Sequence, residues 1–362
     1  VIGGIIQYDF GGHKKYRKIV WYFLFVYIVL LIGLRYRVGI DTLNYMLSYD
    51  EIPTISSFKM SDFTLGYQPF YLLLCVMARS ISSEFFVFQL LHALILNLCS
   101  FIKKYSEKRF IGLFFYFIMY FLYFNTEIMK ESLAVAVLLV NYRSLKEQRW
   151  FRFFMGIFVA MMFHVSAVIV VLFPFLSKLR LNGLFLLLLL LFYILISSMD
   201  SYLSLFAYFE TINNKVSAYM YFSDFSPMSI RWTIFLFIQC VVMPLSVLFY
   251  LKYYKKKTVL FENLICIQIL LGIGVVKYEI IFARLTNYLM PFYSLMIANM
   301  VVSVFAKKQY RDFGLLISAV FAVYSYDFLS HDKYKFWIPY NSVLNPKENR
   351  EREKMWEIRF DI

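Results

Sequence analysis

The chain has 362 residues, of which 61% are hydrophobic and only 17% charged, and its formal net charge is +14. Soluble domains are nearer half apolar and a quarter charged, so this composition excludes an ordinary soluble enzyme, a disordered chain and a collagen-like protein. The apolar residues form long continuous blocks without alternation, which predicts membrane-spanning helices and disfavours an outer-membrane barrel.

These blocks predict an all-α polytopic membrane protein with about 9 to 11 transmembrane helices, since about 20 apolar residues span a bilayer. The candidate blocks in chain order are 19–34, 67–81, 85–102, 110–124, 128–142, 152–176, 181–199, 231–251, 259–282, 285–305 and 312–329. No soluble domain is evident, so a single integral membrane domain is expected over residues 1–362.

Basic residues concentrate in short runs between the blocks, and such runs are typical of cytoplasmic loops. The net-positive runs are 13–18, 103–109, 143–152, 252–257 and 307–311. Three longer stretches are mixed in charge and rich in aromatic residues, and we expect them to face outward: 35–66, 200–230 and 330–362.

If each of the eleven blocks crossed the membrane once, some basic runs would lie on the outer side, and the conflict arises at two places in the chain. Block 67–81 is short and contains Pro69, and block 152–176 is long and carries His164 at its middle. A re-entrant segment at the first and a broken helix at the second would place every basic run in the cytoplasm. The alternative is that one basic loop departs from the charge rule, which is statistical.

Ionisable residues in or beside membrane spans cost about 2.5–3.5 kcal/mol each on insertion scales, so they are functional candidates. The first group, Arg35, Arg37, Asp41 and Tyr45, follows the block 19–34. Two guanidinium groups suit a pyrophosphate, and a tight turn at Gly39 would aim Asp41 back at them. An interfacial ion-pair loop is the alternative.

Two further groups occur in the middle of the chain. Glu127, Lys130 and Glu131 lie at one end of a block, where the two carboxylates share a helical face or simply cap the helix. His164 and Ser166 lie deep in an apolar stretch. A neutral imidazole there would act as a general base or orient a hydroxyl, unless it is only a buried, hydrogen-bonded histidine.

The fourth group lies near the junction of blocks 259–282 and 285–305 and contains Lys277, Glu279, Arg284 and Tyr288. We expect Arg284 and Tyr288, four residues apart, to share one helical face. They would bind a polyprenyl-linked phosphate or anchor the helix at the membrane interface. In the predicted topology all four groups approach the outer membrane face.

The order of these features resembles the EpsG family of membrane proteins, which is related to Wzy-type polysaccharide polymerases. The matching pieces are GLR at 33–35, VGIDT at 38–42 with Tyr45, KESLA at 130–134, FHVSA at 163–167, Arg284 with Tyr288, and Pro339 with Tyr340. One departure is Lys130, which stands where the family is expected to carry arginine. It keeps the charge but loses bidentate geometry.

The resemblance implies a GT-C-like fold and a polymerase in the bacterial cytoplasmic (inner) membrane. Such an enzyme moves a growing glycan from undecaprenyl diphosphate onto the next lipid-linked oligosaccharide repeat at the outer face. The product would be O-antigen, capsule or exopolysaccharide. A chain-length regulator and a flippase are the partners that the resemblance implies, and no nucleic acid is expected.

The resemblance also implies roles for the candidate residues. The leaving diphosphate would be held by Arg35, Arg37, Lys130 and Arg284. The candidate bases for the acceptor hydroxyl are Asp41, His164 and, third, Glu131. The residues expected to contact substrate are Tyr45, Tyr288 and Tyr340. Because a fixed cationic clamp can neutralise the diphosphate, we expect neither a catalytic metal nor a cofactor.

Two other functions fit the same residues. A transporter or flippase for lipid-linked saccharide would also need a wet cavity and cations, although it would more often show an internal repeat. A ligase would use the same donor and transfer the glycan to a different acceptor.

Overall fold

The computed structural model describes residues 1–64, 66–96, 98–176, 185–198, 230–254 and 259–360. Their regular structure is helical, and these ranges contain no β-strand. Among the described residues, three helical stretches are long and apolar enough to cross a membrane: Ile230–Lys252, which is continuous through the π-helix Ile238–Val242, Leu260–Lys277 and Tyr310–Leu329. The predicted all-α membrane protein is confirmed at this level. The outward stretch predicted at 200–230 lies outside the described residues except for Ile230.

The chain divides into two compact units, residues 1–168 with 301–362 and residues 169–300, which are described separately. The main α-helices of the first unit are Arg17–Gly33, Thr42–Asp50, Pro69–Ile81, Phe85–Ile95, Leu98–Tyr105, Arg109–Met119, Met129–Lys146, Trp150–Met161, Tyr310–Leu329 and Arg350–Phe360. The α-helices that begin in the second unit are Phe173–Leu176, Phe185–Ser197, Ile230–Phe237, Met243–Tyr254, Val259–Lys277, Glu279–Thr286 and Met290–Ala306. The predicted single domain over 1–362 stays a prediction.

The helix Met129–Lys146 lies in the core of the first unit. Leu133, Ala134 and Val135, three consecutive residues that point to different sides of the helix, are fully buried, so this part of the helix is surrounded by protein. Its neighbour Trp150–Met161 approaches closely at Gly156, where a Cβ atom would come within 2.0 Å of the Asn141 amide nitrogen. Small residues permit such close helix contacts in membrane proteins.

The two segments that conflicted with simple alternation contact each other. Pro69–Ile81 has 13 residues, about 20 Å of helix, which is shorter than the roughly 30 Å hydrocarbon core. The helix Trp150–Met161 ends before His164, and a 3-10 helix, Val165–Leu172, follows. Phe70 N–H donates to the Met162 carbonyl at 2.9 Å. The predicted break at His164 is therefore confirmed, while re-entry at 67–81 stays a prediction.

Other predicted blocks are subdivided. Block 85–102 consists of two helices, Phe85–Ile95 and Leu98–Tyr105. In the second unit, block 259–282 ends as a continuous helix at Lys277, and a short helix, Glu279–Thr286, follows it. The count of about 9 to 11 spans therefore stays a prediction.

Candidate functional site

The segment 34–42, called here the loop, is anchored from within by Arg35. This side chain is only 1% exposed. Its Nη1 donates to the Ile32 carbonyl at 2.7 Å and its Nε to the Val38 carbonyl at 3.1 Å. A third nitrogen, Nη2, donates to the Met129 sulfur at 3.4 Å. Arg35 therefore stabilises the turn that follows the first long helix by contacts on both sides of it in the chain.

Arg37 is bound by the C-terminal helix. It adopts a left-handed backbone conformation, with φ of 50°, and its Nε donates to a Glu353 carboxylate oxygen at 2.9 Å. A second nitrogen of the guanidinium binds the other carboxylate oxygen. The hydrogen bond with Glu353 raises the pKa of Arg37. Arg37, one of the residues predicted to bind the diphosphate, therefore forms a bidentate ion pair with Glu353.

The turn between Arg37 and Asp41 requires glycine. Gly39 has φ of +116°, and a Cβ atom there would lie 2.5 Å from Cβ of Thr126. Half-buried Asp41 then begins the helix Thr42–Asp50. One turn later, the Tyr45 hydroxyl donates to the Glu127 carbonyl at 3.1 Å. The loop therefore packs directly against the segment that precedes Lys130.

Lys130 lies among tyrosine rings. Its Nζ is 4.7 Å from the ring centroid of Tyr67, 4.9 Å from that of Tyr71 and 5.9 Å from that of Tyr45. A cation within about 6 Å of a ring is attracted by the ring's negative face. Tyr67 and Tyr71 were not predicted as site residues, although Tyr67 stands two residues before Pro69, which begins the short helix.

Glu131, Ser166 and His164 form a hydrogen-bonded chain. The His164 Nδ1 lies 2.6 Å from Ser166 Oγ, and that oxygen lies 3.3 Å from Oε1 of Glu131. Glu131 is only 2% exposed. Two of the predicted candidate bases are therefore linked through a serine whose hydroxyl contacts both.

His164 Nδ1 has two contacts with Ser166. The backbone N–H of Ser166 donates to it at 3.4 Å, so Nδ1 acts as an acceptor and the proton of the neutral imidazole lies on Nε2. The Ser166 hydroxyl has one proton, which it can give to Nδ1 or to the Glu131 carboxylate. This arrangement matches that of a general base oriented by a third group.

The sequence did not predict a buried polar contact made by the helix that carries Lys130. The His92 side chain is fully buried, and its Nε2 lies 3.0 Å from the Ser132 hydroxyl and 3.1 Å from the Met129 carbonyl. The available signal was Gln89 and His92 at three-residue spacing in an apolar helix. The contact ties Phe85–Ile95 to the first turn of the helix that carries Lys130 and Glu131.

Tyr340 lies beside the end of the helix Arg17–Gly33. Its hydroxyl donates to the Leu31 carbonyl at 2.9 Å, and 43% of the residue is exposed. Nearby, the Trp337 indole N–H donates to the Thr126 hydroxyl at 3.1 Å. The segment that carries Tyr340 therefore packs beside the loop.

The second unit contains the fourth predicted group. Lys277 donates to the Ile196 carbonyl at 3.3 Å, and Glu279 accepts from the Trp232 indole at 3.0 Å. Half-buried Arg284 lies in the helix Glu279–Thr286, whereas buried Tyr288 follows it in a turn. The expectation that Arg284 and Tyr288 share one helical face is wrong, because the helix ends at Thr286.

Residues 18–342 match the model of the EpsG family. The chain belongs to the EpsG family. This family is associated with Wzy-type polysaccharide polymerases, and it points to a polysaccharide polymerase of the glycosyltransferase type in a membrane. The family identified from the ordered motifs is therefore confirmed. Comparison with curated proteins and with solved structures finds no match.

In this EpsG-family protein the first unit brings most of the predicted groups together. Tyr45 and Lys130 meet through the tyrosine rings, and Glu131 meets His164 through a serine. The site thus combines a cation with an oriented imidazole. Such a pair can bind an anionic leaving group and accept a proton from a hydroxyl.

Proposed function

We propose that this protein joins undecaprenyl-diphosphate-linked oligosaccharide repeats into O-antigen, capsular or exopolysaccharide. The transfer would occur at the outer face of the bacterial cytoplasmic membrane, in a GT-C-like fold with about 9 to 11 transmembrane helices. Family membership supports polymerisation in general. The observation that carries the mechanism is the hydrogen-bonded chain from Glu131 through Ser166 to His164.

In the proposed step, the acceptor hydroxyl gives its proton to the imidazole of His164. The acceptor oxygen forms the new bond to the anomeric carbon of the donor glycan. The bond from that carbon to the diphosphate breaks, and its electron pair leaves with the diphosphate. Glu131 stabilises the imidazolium through Ser166, as a fixed carboxylate does for a catalytic histidine.

Lys130 is the proposed cation for the departing diphosphate in the first unit. The rings of Tyr45, Tyr67 and Tyr71 limit where its ammonium can lie, and a preorganised cation stabilises developing charge without reorganisation. Arg284, in the second unit, remains a separate proposed ligand for a lipid-linked diphosphate. Tyr45, Tyr288 and Tyr340 remain proposed substrate contacts, and Asp41 remains the alternative base.

Two of the residues predicted to hold the diphosphate, Arg35 and Arg37, have partners within the protein. Arg35 donates to backbone carbonyls of its own segment, and Arg37 pairs with Glu353. Their charges are therefore engaged in holding the loop. We assign them to the shape of the site and assign the departing diphosphate to Lys130.

The proposed function is tested by reconstitution. Purified protein in nanodiscs is mixed with an undecaprenyl-diphosphate-linked repeat and no nucleotide sugar. Products spaced by one repeat support polymerisation. Transport of the substrate across a vesicle bilayer without lengthening would replace the polymerase with a transporter. Transfer only to an unrelated acceptor would indicate a ligase. A chain-length regulator added later should change only the length distribution.

The base is tested in the same assay with His164→Ala. We expect the product ladder to disappear while the protein remains folded in the membrane. The matched control is His13→Ala, which removes an exposed histidine and should leave the ladder intact. A normal ladder from His164→Ala would contradict the assignment.

A further inference from the structure

The C-terminal helix Arg350–Phe360 lies beyond the residues that match the family model, which end at 342. It nevertheless packs against the loop. The segment leading to it pairs with the loop through backbone bonds: the amide of Gly39 donates to the Phe336 carbonyl and that of Tyr36 to the Asn341 carbonyl, each at 2.9 Å. The end of the chain is thus joined to a loop some 300 residues away in sequence.

Arg352 joins the loop to the segment 335–339. The residue is fully buried. Its guanidinium donates to the carbonyls of Arg37 at 2.7 Å, Lys335 at 3.2 Å and Pro339 at 2.5 Å. Burial lowers the pKa of Arg352 only to about 10, so it is protonated at neutral pH. A lysine ammonium lacks the planar fork that reaches three fixed carbonyls.

Trp356 fixes the loop at its other end. This residue is also fully buried, and its indole N–H donates to the Ile40 carbonyl at 2.7 Å. Its ring packs in an apolar cluster with Val38 and Phe336. The Ile40 carbonyl belongs to the peptide bond that precedes Asp41, the residue that begins the helix carrying Tyr45.

These two side chains share one face of an otherwise charged helix, because residues four apart are neighbours on a helix surface. Both donate to loop carbonyls, on the two sides of Gly39. We propose that Arg352 and Trp356 are positioning residues that hold the loop, and with it Asp41 and Tyr45, in the geometry required for glycosyl transfer. This inference rests on the proposed function.

The experiment measures kcat and KM for the lipid-linked repeat with the full chain in nanodiscs. Arg352→Lys keeps the charge and removes the fork, and Trp356→Phe keeps a ring and removes the indole donor. We expect kcat to fall about 10- to 100-fold, because small misplacements of a site cost that much. KM should stay close to wild type, and kcat is compared well below the thermal unfolding temperature of each variant, because the loss of buried hydrogen bonds lowers that temperature. The matched control, Arg350→Lys on the exposed face, should retain wild-type kcat.

Hydrogen exchange tests whether the loss of kcat results from a loosened loop. Amide exchange should increase in the loop of both variants and stay unchanged in the helix Met129–Lys146. If wild type forms a ladder and both variants match Arg350→Lys in kcat, the inference is wrong although the proposed function stands. If wild type forms no ladder, the proposed function and this inference fall together. Should Arg352→Lys unfold, the milder Trp356→Phe decides between these outcomes.

Discussion

Replacing Ser166 by alanine should slow transfer without abolishing it. The hydroxyl contacts His164 Nδ1 at 2.6 Å and Glu131 Oε1 at 3.3 Å, so its removal separates the imidazole from the carboxylate. Hydrogen bonds to charged groups contribute about 1.5–3 kcal/mol. If this free energy is expressed in the transition state, kcat falls about 10- to 150-fold at 1.36 kcal/mol per tenfold.

The assay is the rate of ladder formation with saturating lipid-linked repeat, compared across variants of equal thermal stability. His164→Ala should be slower still, since general base catalysis contributes about 10²- to 10⁴-fold. The matched control is Ser246→Ala, whose exposed hydroxyl donates to the Met243 carbonyl of its own helix. A Ser166→Ala rate within about twofold of that control, with His164→Ala inactive, would refute coupling through the serine.

Three further expectations follow from the loop and from the cationic site. Gly39→Ala should lower the thermal unfolding temperature, since strained backbone costs about 1–3 kcal/mol. The control is Gly3→Ala, because Gly3 has open space around it. Equal unfolding temperatures for the two variants would contradict the argument. Reversing the ion pair in Arg37→Glu/Glu353→Arg should restore activity lost in either single variant, whereas continued loss would assign Arg37 to the diphosphate. Chelation with EDTA should leave the ladder unchanged, and loss of activity would reveal a required metal ion.

The fold class was predictable because membrane helices have a strong compositional signal. The break at His164 was predictable for a different reason: the basic runs and the apolar blocks could not both be satisfied by unbroken helices. The division of block 85–102 was not predictable, since periodicity does not show where a continuous apolar run changes direction. The end of the helix at Thr286, between Arg284 and Tyr288, was likewise not predictable from periodicity.

The site was predictable as separate groups and not as one arrangement. The sequence identified Glu131 and His164 as candidate bases, but nothing in a spacing of 33 residues indicates that one serine contacts both. The contacts of Arg35 were not predicted, because two of its acceptors are backbone carbonyls, which sequence patterns do not reveal. Tyr71 was missed because it resembles an ordinary apolar core residue.

The broken helix has a direct chemical consequence. In an unbroken α-helix, residues two apart point about 200° away from each other and cannot share a hydrogen bond. His164 and Ser166 are two apart, yet their side chains lie 2.6 Å from each other, because the α-helix ends at Met161 and the chain continues as a 3-10 helix. The Met162 carbonyl near the break accepts from Phe70 at the start of the short helix. Straightening the break would therefore disconnect the proposed base from Glu131, so the irregular backbone is itself part of the site.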